Sequence, residues 1–162
     1  MPTKPFLAYW DSCVFISAIE RTPGRIQIID VLREQASLNK VLIVTSSIVM
    51  AEVIKFVPKG KELELEMQQI SDYMENPWMT RRAADNVITT KAGYLRRQFN
   101  LKLADAIHLA TALHYEVDHL HTYDKHLLNC NNQIILEKKK VALKICHPEV
   151  PDSKNYPLFD KE

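Results

Sequence analysis

The chain has 162 residues, of which 46% are hydrophobic and 25% are charged. These proportions are typical of a single globular domain and exclude an intrinsically disordered chain. With 21 basic and 20 acidic residues, the net charge is only +1, so a nucleic-acid partner would have to be bound by local basic patches.

The first half of the chain predicts two buried strands, each followed by helices. Both strands are continuous apolar runs, as in a parallel sheet that is covered on its two faces. Asp11 and Ser12 suit the start of a helix after the first strand, and Glu52 is the only acidic residue of the apolar helix after the second. The strands are predicted at Phe6–Trp10 and 41–45, and further helices at 26–38 and 48–56. The positions predicted to face the core are Val14, Phe15, Ala18, Ile19, Ile29, Val31 and Leu32.

The second half continues this alternation of helices and strands. Helices are predicted at 61–74, 83–99, 100–113 and, as a single turn, 125–128, and strands at 78–80, 119–123 and 141–146, with 133–136 ambiguous. The predicted inward positions are Val87, Ile88, Ala92, Leu95, Leu103, Ala106, Ile107, Ala110 and Leu113. The alternation predicts an α/β domain with a mostly parallel sheet over residues 1–147. Three prolines predict that residues 148–162 form an irregular tail.

Four acidic residues fall where this fold would bring them to one edge of the sheet. Asp11 directly follows the first strand, and Asp124 directly follows the strand at 119–123. Glu52 lies about one and a half turns into the helix after the second strand, and Asp105 lies on the first turn of the helix at 100–113. Because ligands bind at the carboxyl ends of parallel strands, we expect a cluster of carboxylates there.

Each of these acids also has a purely structural explanation. Asp11 can cap a helix, Asp124 can belong to a turn, and the helix dipole favours Asp105 at a helix N-terminus. Clustering, however, is costly, since unit charges about 4 Å apart repel by roughly 4 kcal/mol at an effective dielectric near 20. A bound cation removes that cost, and hard oxygen ligands suit Mg²⁺ or Mn²⁺. The joint placement therefore favours a metal site that activates water for phosphodiester hydrolysis.

Other kinds of site are not indicated. The chain has only three glycines and neither a GxGxxG motif nor a P-loop, which argues against dinucleotide and nucleotide-triphosphate binding. Cys13, Cys130 and Cys146 are widely spaced without a CxxC pair, so neither a disulfide framework nor a zinc motif is predicted. His108 is predicted to pack on a helix face.

No run approaches the roughly 18 apolar residues of a membrane helix, and no signal peptide is apparent, so a cytoplasmic location is expected.

Four segments containing these acids together resemble the PIN domain, most closely the VapC-type toxins of bacteria and archaea. No single segment is specific, but their order and separations are, and the resemblance extends from about Phe6 to Cys146. The segment around Asp105 is the most telling. The four segments are YWDS at 9–12, TSSIVMAEV at 45–53, LADAIHLATA at 103–112 and TYDK at 122–125.

The resemblance implies a three-layer α/β/α fold with a five-stranded sheet and a divalent-metal-dependent endoribonuclease, the toxin of a toxin–antitoxin pair. It also implies a homodimer and an antitoxin protein whose segment enters the groove. The implied metal and catalytic residues are Asp11, Glu52, Asp105 and Asp124, with Ser12 and Thr122 as polar helpers. Ser12 and Cys13 stand where Thr-Asn is common in the family, a change that affects the surroundings of the site rather than its main carboxylates.

Lys125, adjacent to Asp124, is the basic residue best placed to contact an RNA phosphate. Other candidates for such contacts are Lys55, Lys59, Lys61, Arg81, Arg82, Arg96, Arg97, Lys102, Lys138, Lys139 and Lys140. Two other functions stay open from sequence alone. One is a PIN-fold RNA-binding or regulatory protein without turnover, and the other is a receiver-type phosphotransfer domain.

Overall fold

Five parallel strands form the centre of the fold, in the order β3-β2-β1-β4-β5. The computed structural model describes residues 4–56 and 63–152, and the four strand pairings within them are all parallel. The strands are β1 (Phe6–Trp10), β2 (Val41–Ser46), β3 (Met79–Arg82), β4 (His119–His121) and β5 (Lys144–Cys146). The predicted five-stranded parallel sheet is therefore confirmed.

Seven helices in the described residues cover both faces of this sheet. They are α1 (Ser12–Ile19), α2 (Ile26–Ser37), α3 (Val49–Lys55), α4 (Leu63–Met74), α5 (Asn86–Phe99), α6 (Leu103–His114) and α7 (Lys125–Leu128). Alternating side chains of β1 serve both layers, because successive residues of a strand point to opposite faces. Phe6, Ala8 and Trp10 pack with α1 to α4, whereas Tyr9 packs with α5 to α7. The domain is a three-layer α/β/α sandwich, as predicted.

The boundaries of several elements differ from the prediction. β3 lies at 79–82 rather than 78–80, β4 ends at His121 rather than at 123, and β5 begins only at Lys144. Ala142, predicted within the last strand, instead forms an isolated antiparallel bridge with Ile135, which accounts for the ambiguous run at 133–136. The predicted end of the third helix at Pro58 and Gly60, the basic residues Lys59 and Lys61, and the tail beyond residue 152 lie outside the described residues.

Three residues predicted to face the core are exposed: Val31 at 39%, Val87 at 60% and Leu103 at 57%. Each lies on a helix whose other predicted apolar positions are mostly buried. A helix on the outside of a sheet buries only a stripe of its surface, so an apolar residue beyond that stripe remains in solvent. Apolar character at these positions was therefore insufficient to predict burial.

The strand order creates a crevice beside β1. The chain adds β2 and β3 on one side of β1 and then crosses to the other side to add β4 and β5. In open α/β sheets, ligands bind at such a change of direction, beyond the carboxyl ends of the strands. The order also differs from the 2-1-3-4-5 order of receiver domains, so the receiver-type alternative is wrong. Within the described residues, no helix has the length and apolarity needed to cross a membrane.

Candidate metal centre

Asp11 lies at the carboxyl end of β1 and is almost completely buried, with 2% of its surface exposed. Its Oδ1 accepts a hydrogen bond from the Val14 backbone N–H at 3.3 Å, so Asp11 caps α1. Its Oδ2 accepts a hydrogen bond from the Thr122 hydroxyl. Burial raises the pKa of Asp11 to about 6, although His108 and these hydrogen bonds oppose the rise. Asp11 therefore caps a helix and also lies where the cluster of carboxylates was predicted.

Glu52 reaches the same crevice from α3, where it is 26% exposed. One carboxylate oxygen accepts a hydrogen bond from the Ser12 hydroxyl at 3.1 Å. The other lies 2.5 Å from His108 Nε2, on α6. His108 Nδ1 in turn lies 2.6 Å from the hydroxyl of Tyr9, on β1. The tautomer with the ring proton on Nε2 lets His108 donate to Glu52 and accept from Tyr9.

Asp105 lies on the first turn of α6, one turn before His108. Its Oδ2 is buried and has no hydrogen-bond partner among the described residues. The pKa of Asp105 is raised, first by burial and then by the negative charge of Asp124. A buried carboxylate oxygen without a donor is unusual, because buried polar atoms are nearly always paired with protein, water or an ion.

Asp124 lies just beyond β4, at the start of α7. Its Oδ1 accepts backbone hydrogen bonds from His126 at 2.7 Å and from Leu127 at 3.4 Å, so it caps this short helix. The Thr122 hydroxyl accepts a hydrogen bond from the Asp124 backbone N–H at 2.9 Å and donates to Asp11. Thr122 thus links the loop that carries Asp124 to the buried acid at the end of β1.

The four carboxylates converge around the start of α1. Burial raises the pKa of the Cys13 thiol to about 12, and the negative charges of all four acids contribute to the rise. Direct hydrogen bonds join Asp11 to Thr122 and Ser12 to Glu52. His108 connects Glu52 to the helix that carries Asp105. The predicted residues Asp11, Glu52, Asp105 and Asp124, with Ser12 and Thr122, therefore lie together. Lys125 follows directly on α7 and is exposed.

This donor set fits a hard divalent cation. Carboxylate oxygens are the ligands that Mg²⁺ and Mn²⁺ prefer, and the partnerless Oδ2 of Asp105 provides a free donor atom. A cation would also offset the burial that raises the pKa of Asp11 and Asp105. The residues present are therefore compatible with Mg²⁺ or Mn²⁺.

Sequence reasoning missed the part that His108 and Tyr9 play at this site. His108 was predicted to be a packing residue, but its two ring nitrogens contact Glu52 and Tyr9. A signal was present in the sequence, because His108 lies three residues after Asp105 and so projects from the same side of α6. Tyr9 likewise lies two residues before Asp11 on β1. The partner of His108, however, comes from a helix 56 residues earlier.

Comparison of the sequence with protein families matches residues 8–131 to the PIN domain. A search of curated proteins finds no significant match. The fold resembles that of VapBC2 from Rickettsia felis, solved with a promoter DNA fragment, with a TM-score of 0.62 and 18% identity over 86% of this chain and 97% of that chain.

Two other solved structures have the same fold. A toxin–antitoxin complex from Klebsiella pneumoniae matches with a TM-score of 0.56 and 21% identity over 75% of this chain and 89% of that one. VapC20 from Mycobacterium tuberculosis, a toxin that cleaves the sarcin–ricin loop, matches with a TM-score of 0.60 and 10% identity over 76% and 94% of the two chains. At sequence identities this low, the comparisons establish only that the folds are similar.

Proposed function

This chain is a member of the PIN domain family, and we propose that it is a Mg²⁺- or Mn²⁺-dependent endoribonuclease that hydrolyses RNA phosphodiester bonds. The observation that carries the proposal is the convergence of four carboxylates at the carboxyl ends of β1 and β4, with a buried oxygen of Asp105 left without a donor. The solved sarcin–ricin loop-cleaving toxin with this fold adds support.

In this proposal, Asp11, Glu52, Asp105 and Asp124 are the metal ligands and the catalytic residues. When bound, the ion supplies Lewis-acid stabilisation of phosphate oxygens and lowers the pKa of a water nucleophile. Thr122 and Ser12 hold Asp11 and Glu52 in place through their hydroxyl groups. Lys125 is the proposed phosphate contact, since it is exposed and adjacent to Asp124.

The proposal is tested by incubating the purified chain with structured and single-stranded RNA in Mn²⁺, Mg²⁺ or EDTA. We expect cleavage products that carry new termini inside the RNA, in the presence of either metal and not in EDTA. Calorimetric titration with Mn²⁺ distinguishes the alternative, a PIN-fold RNA-binding or regulatory protein. Tight metal binding without cleavage of any RNA would favour that alternative.

We further propose that the chain is the toxin of a toxin–antitoxin pair and that it forms a homodimer. A solved toxin–antitoxin complex with the same fold supports the first of these. Expression in bacteria should then arrest growth, and co-expression of a small protein encoded beside the gene should restore growth and co-purify with the chain. Normal growth and an isolated monomer would contradict the toxin and dimer proposals.

His108 acts in this mechanism as a positioning residue, because it holds Glu52 rather than the substrate. Replacing it with Leu removes the donor 2.5 Å from the Glu52 carboxylate. Loss of an outer-shell partner of this kind typically costs about 10–100-fold in metal affinity or activity. We therefore expect His108→Leu to raise the half-saturating Mn²⁺ concentration and to lower the cleavage rate within that range.

Two variants separate positioning from a general loss of structure. His108→Gln keeps an N–H donor and should recover part of the Mn²⁺ affinity, whereas a purely packing role would not depend on that donor. His114→Leu, at the exposed end of the same helix, should behave as wild type. An unchanged Mn²⁺ dependence in His108→Leu would show that Glu52 does not need this contact.

A further inference from the structure

A second group of ligand-type side chains lies on β4 and β5. His119 and His121 are two residues apart on β4, so they project from the same face of the sheet. Cys146 lies beside His121 in the register of β5. One ligand atom from each of the three side chains lies within 4.8 Å of the others. The sequence spacing did not reveal the group, because its members come from two strands brought together by a crossover.

His121 is the unusual member of this group. It is completely buried, and neither of its ring nitrogens has a hydrogen-bond partner among the described residues. The neighbouring rings are those of Phe6 and His119, with centroids 6.4 Å and 5.9 Å away. A neutral imidazole brings one donor and one acceptor into the interior, and both are normally paired there. A metal ion bound to one of the two His121 nitrogens would give that nitrogen a partner and leave only the other nitrogen without one.

We propose that His119, His121 and Cys146 bind Zn²⁺ or a similar borderline divalent metal ion. Two imidazole nitrogens and one thiolate are a donor set typical of zinc and unsuited to Mg²⁺. The Cys146 Sγ lies 4.0 Å from His119 Nδ1, while ligand atoms around tetrahedral zinc lie roughly 3.3–3.7 Å apart. A small side-chain rotation therefore closes the site.

Glu149 is the candidate fourth ligand. Its Oε1 lies 3.4 Å from His119 Nδ1, and the same oxygen contacts Lys144 Nζ. The site is accessible from this side, since Cys146 and Glu149 are only partly buried. Glu149 would exchange its lysine partner for the metal or leave the fourth position to water.

The protonation states of the two histidines agree with this assignment. Burial lowers the pKa of His119 to about 4 and of His121 to about 3, so both rings are neutral near pH 7 and carry a free lone pair. Burial raises the pKa of Cys146 to about 12, so metal binding releases the thiol proton to solvent. The bound ion would cross-link β4 to β5, a three-residue strand at the edge of the sheet.

The test uses Co²⁺ as a spectroscopic probe for zinc, added to the full chain in saturating Mg²⁺ so that the carboxylate cluster is occupied. We expect a thiolate-to-cobalt charge-transfer absorption in the near ultraviolet and d–d bands of tetrahedral intensity, both removed by Zn²⁺. Cys146→Ser should abolish the charge-transfer band. It should also weaken Co²⁺ binding by more than about 100-fold, since loss of an outer-shell partner alone costs about 10–100-fold.

Cys130→Ser is the matched control, because Cys130 is a buried thiol in the core cluster on the opposite face of the sheet. This variant should keep the charge-transfer band. His119→Gln should lose most of the affinity and provides a second test if Cys146→Ser does not fold. Absence of the band in the wild type, or its persistence in Cys146→Ser, would overturn the proposal.

Thiol alkylation of the wild-type chain gives a readout that needs no variant. Cys13 and Cys146 are both partly buried, and neither forms a disulfide. Zn²⁺ should slow alkylation at Cys146, followed peptide by peptide by mass spectrometry, and leave Cys13 unchanged. Protection of Cys13 instead would assign zinc binding to the carboxylate cluster and overturn the site at β4 and β5. Neither outcome depends on RNA cleavage.

Discussion

Asp11→Asn and Asp105→Asn are each expected to lower metal-dependent RNA cleavage by about 10³-fold or more. Metal-assisted stabilisation of the transition state contributes several kcal/mol, and each 1.36 kcal/mol corresponds to about tenfold in rate. Asn has a similar size and shape to Asp, but it lacks the negative charge that a hard cation requires. Single-turnover cleavage of a labelled RNA across a Mn²⁺ titration measures the effect.

The two variants test carboxylates in different surroundings. Asp11 is fixed by Thr122 and by the start of α1, whereas Asp105 presents an oxygen without a partner. Asp72→Asn, on the exposed face of α4, is the matched control and should cleave as wild type. Equal metal-dependent cleavage by the wild type and by both site variants would exclude the assigned centre.

The same Asp11→Asn substitution is expected to stabilise the metal-free fold by about 3 kcal/mol at pH 7.5. A rise in the pKa of Asp11 from 3.8 to about 6 means that the buried charge opposes folding, by about 1.36 kcal/mol for each pH unit of the rise. Asn removes this charge and remains a good helix cap for α1. Urea unfolding in EDTA, at several pH values, measures the difference.

The difference should depend on pH in a defined direction. Between pH 3.8 and about 6, folded Asp11 binds more protons than unfolded Asp11, so its unfavourable contribution grows as the pH rises. The advantage of Asp11→Asn should therefore be complete above about pH 6 and vanish below about pH 4.

His119 and His121 give the wild type and the variant the same pH dependence, in the opposite direction to that of Asp11. Folded His119 and His121 have lowered pKa values, of about 4 and 3, and bind fewer protons than in the unfolded chain below pH 6.5. Their contribution to stability is lost as the pH falls through that range. The effect of Asp11 is therefore measured as the difference between variant and wild type at each pH.

Asp85→Asn is the control for the stability measurement. Asp85 caps α5 with the same geometry, through a hydrogen bond from the Ile88 backbone N–H at 3.0 Å, but it is exposed. Its replacement should change the free energy of unfolding by less than about 0.5 kcal/mol. Added Mn²⁺ should then stabilise the wild type more than Asp11→Asn. Equal stability of wild type and Asp11→Asn at pH 7.5 would show that Asp11 carries no burial cost.

The sequence alone was enough to predict the sheet, the alternation of helices and strands, and the shared location of Asp11, Glu52, Asp105 and Asp124. These features depend on local patterns, because buried strands are continuous apolar runs and their exits are short in sequence. A parallel α/β fold then brings the exits of neighbouring strands to one edge. Residues at such exits can therefore be grouped before any coordinates are known.

Only the tertiary structure decided which side chains touch. The contact of His108 with Glu52 joins two helices 56 residues apart, and the group of His119, His121 and Cys146 joins two strands. Leu103 shows the same limit, since a leucine in an apolar pattern is exposed at the first position of α6. Periodicity determines which face of an element is apolar, but contacts between elements depend on how far each one is rotated and shifted when the layers pack.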